Sequence, residues 1–240
     1  MPIRSHSVRA LSSAVSRMEA LTHLNLSGTL TAPSDEGDER LGTAMGFRPT
    51  QGRKAVSPID ATALAAALGQ LRDLVALDLS GNELAGGGGA AVCEALAGAP
   101  RLSALNLSAA GLGDGVERFW PQLAKLTALA QLDLGANKLG SRGVSAFGAH
   151  IGSLVCLEAL DLSENFFFEL GDLGPRLKTL PLLRALNLNT NFLRAVNLLT
   201  PHLQEMRALR LLSVVGNPMT ANHRAALSRR MARCQVHVVM

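Results

Sequence analysis

The sequence predicts an α/β solenoid, with a parallel β-sheet on the concave side and helices on the convex side. Three observations predict it. The pattern L-x-x-L-x-L-x-x-N-x-L returns at least six times in 240 residues. The second leucine of each copy (Leu77, Leu105, Leu132, Leu160, Leu186, Leu212) recurs after 28, 27, 28, 26 and 26 residues. Segments between copies, such as Ala90–Leu96 and Ala195–Met206, carry apolar residues at helical spacing. A unit of one strand and one helix cannot bury its apolar side alone, so neighbouring units stack and share one core.

Each element can be justified in chain order. Residues 1–18 hold Arg4, Arg9 and Arg17, five serines and no acid. That composition suits a mitochondrial presequence. The same stretch aligns with Thr62–Ser80 at an offset of 53 residues, mapping Leu11 onto Leu64 and Met18 onto Leu71, so a repeat helix is the preferred reading. Leu24 marks a first strand. The 53 residues to Leu77 leave room for two repeats where one motif is visible. Residues 31–60 are therefore a degenerate repeat or a looped-out insertion. The leucine-free stretch Gly46–Pro58 is expected to weaken the pairing of the Leu77 strand on its N-terminal side.

Four regular copies are Leu74-Leu77-Leu79-Asn82-Leu84, Leu129-Leu132-Leu134-Asn137-Leu139, Leu157-Leu160-Leu162-Asn165-Phe167 and Leu183-Leu186-Leu188-Asn191-Leu193. Two are altered: Leu102-Leu105-Leu107 meets Ala110 in place of Asn, and Leu209-Leu212-Val214-Asn217-Met219 swaps two leucines. Side chains alternate along a strand, so Leu77 and Leu79 face the core and Asp78 faces out. Asn82, Asn137, Asn165, Asn191 and Asn217 sit where the chain leaves the sheet, and their amides are expected to bond backbone groups that the turn buries. Thr29 and Ala110 depart from the pattern, and their turns are expected to be looser. Residues 218–240 form a cap: a basic amphipathic helix over Ala221–Arg233, then a closing strand in CQVHVVM. The whole chain reads as a single domain of about 7–8 repeats.

These motifs resemble the ribonuclease-inhibitor-like class of leucine-rich repeats, which also includes repeat domains of innate immune receptors, tropomodulin and the GTPase-activating proteins of Ran. The resemblance covers nearly the whole chain. It implies a right-handed, curved solenoid that binds protein. It carries no functional residues over to this sequence.

Composition narrows the class. One repeat domain accounts for the full length, with no room for a second catalytic domain. Cys93, Cys156 and Cys234 are odd in number and far apart, which fits a reducing compartment and small buried fillers, not a disulfide framework. The net charge of +4 is mild, and its densest group is Arg224, Arg229, Arg230 and Arg233. Tyrosine is absent and aromatics make up 3%, so stacking platforms for single-stranded nucleic acid are not expected. No run of residues approaches a membrane span.

A search for chemistry returns no catalytic constellation, no cofactor motif and no metal-ligand spacing among the six histidines. Gly86–Gly89 lacks the Gly-Lys-Ser/Thr of a phosphate loop and reads as a flexible turn. Two surfaces stand out instead. Between the strand leucines lie Asn25, Asp78, Asn106, Asp133, Asp161, Asn187 and Ser213, a polar column with an acidic middle to which Glu164 is added. Beside it runs a mostly small column, His23, Ala76, Ala104, Gln131, Ala159, Ala185 and Leu211. Such a face suits a cationic helix or peptide. The second surface is a ridge of Phe166, Phe168 and Phe192, continued by Pro218, with Phe167 taking the core position.

The expectation is thus a non-enzymatic, cytoplasmic protein-binding module, an adaptor or a structural subunit of a larger assembly, cytoskeletal or ciliary for example. A regulator of an enzyme, either a small-GTPase activating protein or an inhibitor, is the alternative. Nucleic acid and small-molecule substrates are not expected as partners.

Overall fold

In the computed structural model, the described residues are 20–28, 58–113, 115–194 and 200–240. They form a single eight-stranded sheet in which every pairing is parallel and strand order follows chain order. The strands are β1 (His23–Asn25), β2 (Ala76–Asp78), β3 (Ala104–Asn106), β4 (Gln131–Asp133), β5 (Ala159–Asp161), β6 (Ala185–Asn187), β7 (Leu211–Ser213) and β8 (His237–Val239). Helices alternate with them: α1 (Pro58–Leu68), α2 (Ala85–Leu96), α3 (Val116–Leu123), α4 (Gly140–Phe147), α5 (Leu173–Leu177), α6 (Thr200–Leu203) and α7 (Ala221–Ala232). This repeat-like alternation fits a solenoid.

The register keeps motif positions in columns. Leu24, Leu77, Leu105, Leu132, Leu160, Leu186, Leu212 and Val238 are Cα partners strand by strand. Those from Leu77 to Leu212 are buried, as are Leu79, Leu107, Leu134, Leu162, Leu188 and Val214 two positions on. Burying a leucine contributes roughly 1.5–3 kcal/mol before chain entropy is subtracted. The motif leucines therefore stabilise the stack collectively. In the helical layer, Phe119, Trp120 and Phe147 pack ring on ring, with centroids 5.0 and 4.4 Å apart. Trp120 is buried, and among the described residues no acceptor meets its Nε1–H.

All five motif asparagines are buried and hydrogen-bonded to backbone. Asn137 is representative. Its Nδ2 donates to Leu107 O at 2.8 Å, Leu134 O at 2.9 Å and Gly135 O at 3.0 Å. Its Oδ1 accepts from Ala110 N at 3.0 Å and Leu112 N at 3.2 Å. Each asparagine thus ties its own turn to the preceding one.

Several expectations need correction. The turn at Ala110 is not loose: its carbonyl accepts Leu84 N at 2.9 Å and Ala85 N at 3.2 Å, and Asn137 takes its N–H. The main chain fills the role that a side-chain oxygen plays elsewhere. The Leu77 strand pairs with β1 over its full length, so the expected weakening is not found. The glycines Gly86–Gly89 lie within the first turns of α2, not in a flexible turn. A Cβ on Gly88 would stand 3.2 Å from Ala61 Cβ, and one on Gly89 would stand 2.6 Å from Leu112 Cδ2. These glycines let α2 approach its neighbours closely. Cys93 is a buried filler, but Cys156 is exposed and Cys234 only half-buried. After β7 comes α7 and then β8, which pairs with β7 in parallel. The readings of residues 1–18, Thr29, 31–57 and 195–199 lie outside the described residues.

Candidate functional site

The outer face of the sheet bounds a groove of about 740 Å³, lined by residues of β1 to β7. Both columns read from the sequence lie in it: Asn25, Asp78, Asn106, Asp133, Asp161, Asn187 and Ser213 beside His23, Ala76, Ala104, Gln131, Ala159, Ala185 and Leu211. Glu164 does not join them. It follows the strand and is exposed, with a left-handed backbone (φ 56°). Among the described residues no lysine or arginine lines the groove.

The polar column has a local structural role that the sequence reading did not resolve. In six consecutive strands the Asp or Asn Oδ1 accepts the N–H two residues on: Asn25 from Ser27, Asp78 from Ser80, Asn106 from Ser108, Asp133 from Gly135, Asp161 from Ser163 and Asn187 from Asn189. These bonds are 2.8–3.0 Å long. Short polar side chains favour such local bonding where a strand ends in a turn. A small or turn-forming residue at the second following position, mostly Ser or Gly, was the available sequence signal. At β7 the pattern changes hands: Ser213 Oγ and Val215 N both donate to Asn189 Oδ1, each at 2.7 Å.

The second carboxylate oxygens differ. Asp161 Oδ2 accepts from Asn187 Nδ2 at 2.6 Å, and Asp78 Oδ2 meets Asn25 Nδ2 at 3.4 Å. For Asp133, no donor meets the second oxygen among the described residues. Burial raises the carboxyl of Asp133 above the ordinary aspartate range. The Gly135 N–H opposes that shift, and the charges of Asp161 and Asp78 add to it. Asp133 is therefore a half-buried charge with like charges nearby and one oxygen that meets no donor among the described residues.

The ridge forms at the ends of the same strands. Phe166 and Phe192 are 49% and 51% exposed, with ring centroids 5.9 Å apart at 27°. Phe168 is also exposed, while Phe167 is fully buried, as the register of the motif required. Phe166 has φ 63°, a left-handed conformation uncommon for a bulky side chain. Pro218 continues the row as an exposed residue.

Arg224, Arg229, Arg230 and Arg233 lie exposed on or next to α7. Among the described residues, no group of His, Cys, Asp and Glu could hold a metal ion. Nor is any described helix long and apolar enough to cross a membrane. No protein-family model matches the chain, and a search of curated proteins returns no significant match.

Proposed function

We propose that this chain is a leucine-rich repeat module that binds another protein through the groove on its sheet, without catalysing a reaction. It serves as an adaptor or as a structural subunit of a larger intracellular assembly. One observation carries the reading: a groove spanning seven strands holds Asp78, Asp133 and Asp161 and, among the described residues, no lysine or arginine. A cationic segment in that groove relieves the repulsion among the carboxylates and supplies a donor to the open oxygen of Asp133.

Site-specific photo-crosslinking tests this. A benzoylphenylalanine placed at Gln131, which faces the groove, should capture a partner, and cross-linked peptides from that partner should carry lysine or arginine. Asp133→Asn with Asp161→Asn, which removes both charges and keeps the turn acceptors, should sharply reduce capture while leaving the circular dichroism spectrum unchanged. Capture undiminished by this neutralisation counts against the reading. The alternative, regulation of an enzyme, is separated by adding the purified chain to small GTPases and to ribonucleases and following their rates.

A further inference from the structure

We infer that the occupant of the groove is a basic α-helix of the partner laid across the strands, with an arginine from it stacked on the Phe166–Phe192 pair. This rests on the groove being the docking surface. The first argument is spacing. Adjacent strands of a sheet lie about 4.8 Å apart, so Asp133 and Asp161, on neighbouring strands, repeat at that interval across the sheet. A helix rises about 5.4 Å per turn, which brings cations at i and i+3 or i+4 near successive strands. Asp78 to Asp161 spans three strand steps, roughly 14 Å, or about ten residues of helix. An extended segment repeats a given face every roughly 6.6 Å and falls out of step within two strands. The neighbouring column is mostly alanine (Ala76, Ala104, Ala159, Ala185), which leaves room above the sheet.

The second argument concerns the ridge. The position after the motif asparagine is Glu83, Gly111, Lys138 and Pro218 in other repeats, so the fold does not require an aromatic there. Phe166 and Phe192 nevertheless stack with half of their surface open to solvent. The pair stands five residues beyond Asp161 and Asn187 on the same strand-to-loop connections, outside the residues that line the groove. Carboxylates that select cations, with stacked aromatic rings farther along the same chain segments, match the planar guanidinium, which stacks on an aromatic ring while keeping its charge. Lysine offers the charge without the planar stacking. The carboxylates equally disfavour a nucleic-acid backbone in the groove.

The test uses the full chain and three 20-residue alanine-based peptides read by fluorescence anisotropy at low salt. One carries arginine along a single helical face at i, i+4 spacing. The second replaces each arginine by lysine. The third keeps the arginines but has two central prolines. The arginine helix should bind at least about tenfold more tightly than its proline-broken form and about fivefold more tightly than the lysine helix. Phe166→Ala with Phe192→Ala should erase the arginine–lysine difference and leave the lysine affinity in place. Equal binding of the proline-broken peptide overturns the helix, and an arginine preference that survives removal of both rings overturns the stacking. If no peptide binds while photo-crosslinking at Gln131 succeeds, the helix proposal falls and the docking surface stands. If both fail, both fall.

Discussion

Asn137→Ala should be among the most damaging single changes in the sheet-to-helix turns, and the structure gives its size. Five hydrogen bonds are lost, but not all five partners are orphaned. Leu134 O keeps Asn165 Nδ2, and Gly135 O keeps Ala109 N. Leu107 O, Ala110 N and Leu112 N lose the partner that Asn137 gives them. A buried polar group left unpaired costs about 1–3 kcal/mol. Three of them set a floor near 3 kcal/mol if nothing moves. The natural Ala110 turn shows what can move, because there a main-chain carbonyl takes over the N–H of Leu84. One such rescue brings the expected loss to about 2–4 kcal/mol. For a chain of this size that is a fall of roughly 5–15 °C in Tm. Urea denaturation gives the free energy, and amide exchange gives the location, since Ala110 and Leu112 should lose protection first. Asn106→Ala is the control: its Oδ1 holds one half-buried N–H, so it should cost about 1 kcal/mol or less. If the two variants lose equal stability, or Asn137→Ala loses under about 1 kcal/mol, the orphaned-group reasoning is wrong.

Four further outcomes are expected. Trp120→Phe should stay within about 1 kcal/mol of the parent in urea, because the smaller ring leaves a cavity but removes a buried donor that no acceptor meets. Gly148→Ala should destabilise by about 3 kcal/mol, its Cβ falling 2.5–2.6 Å from main-chain atoms of Asp172 and Leu173. Gly87→Ala, in the same kind of backbone but with nothing within 4 Å, should instead stabilise α2 by up to about 1 kcal/mol. The carboxyl of Asp133 is raised in the folded state, so its contribution is present below the unfolded value and is lost as pH rises through the folded one. Asp133→Asn keeps an acceptor for Gly135 N; its Tm advantage should therefore open as pH rises above the ordinary aspartate value, whereas parallel Tm–pH curves would refute the assignment.

Strands and core were legible because the motif states them directly: leucines at fixed offsets share a face, and a one-residue slip would turn that face outward. The same logic placed Phe167 inside and Phe166 and Phe168 outside. What was not legible depended on neighbours. Gly86–Gly89 has the composition of a turn, yet these residues are helical because Ala61, Leu112 and Phe119 press on α2 from other repeats. The pairing of β1 with β2 could not be read from an offset that equals two periods. Ala110 looked like a weak turn because a sequence displays side-chain acceptors and hides main-chain ones. In the candidate site, the column of Asp and Asn was visible, but its use of one oxygen per residue in a local turn was not.

That local use separates what the fold requires from what it tolerates. The turn after each strand needs one acceptor oxygen two residues before its N–H. Asn25, Asn106 and Asn187 supply it without charge, with bonds of 2.9–3.0 Å. Asp78, Asp133 and Asp161 supply the same bond at 2.8–2.9 Å and add a negative charge that the turn does not use. At Asp133 this charge works against the fold, since burial and the neighbouring carboxylates raise its carboxyl. The aromatic ridge has the same character. Phe166 takes a backbone conformation that costs a bulky residue roughly 1–2 kcal/mol, and it does so with half its surface exposed. Charge and aromatic surface are thus placed at one end of neighbouring strands, where an amide and a glycine would give a more stable molecule. Stability forgone at a surface position is the usual mark of a contact made in a complex. The two costs share a remedy: a partner that brings positive charge to the column and covers the rings gains from both at once.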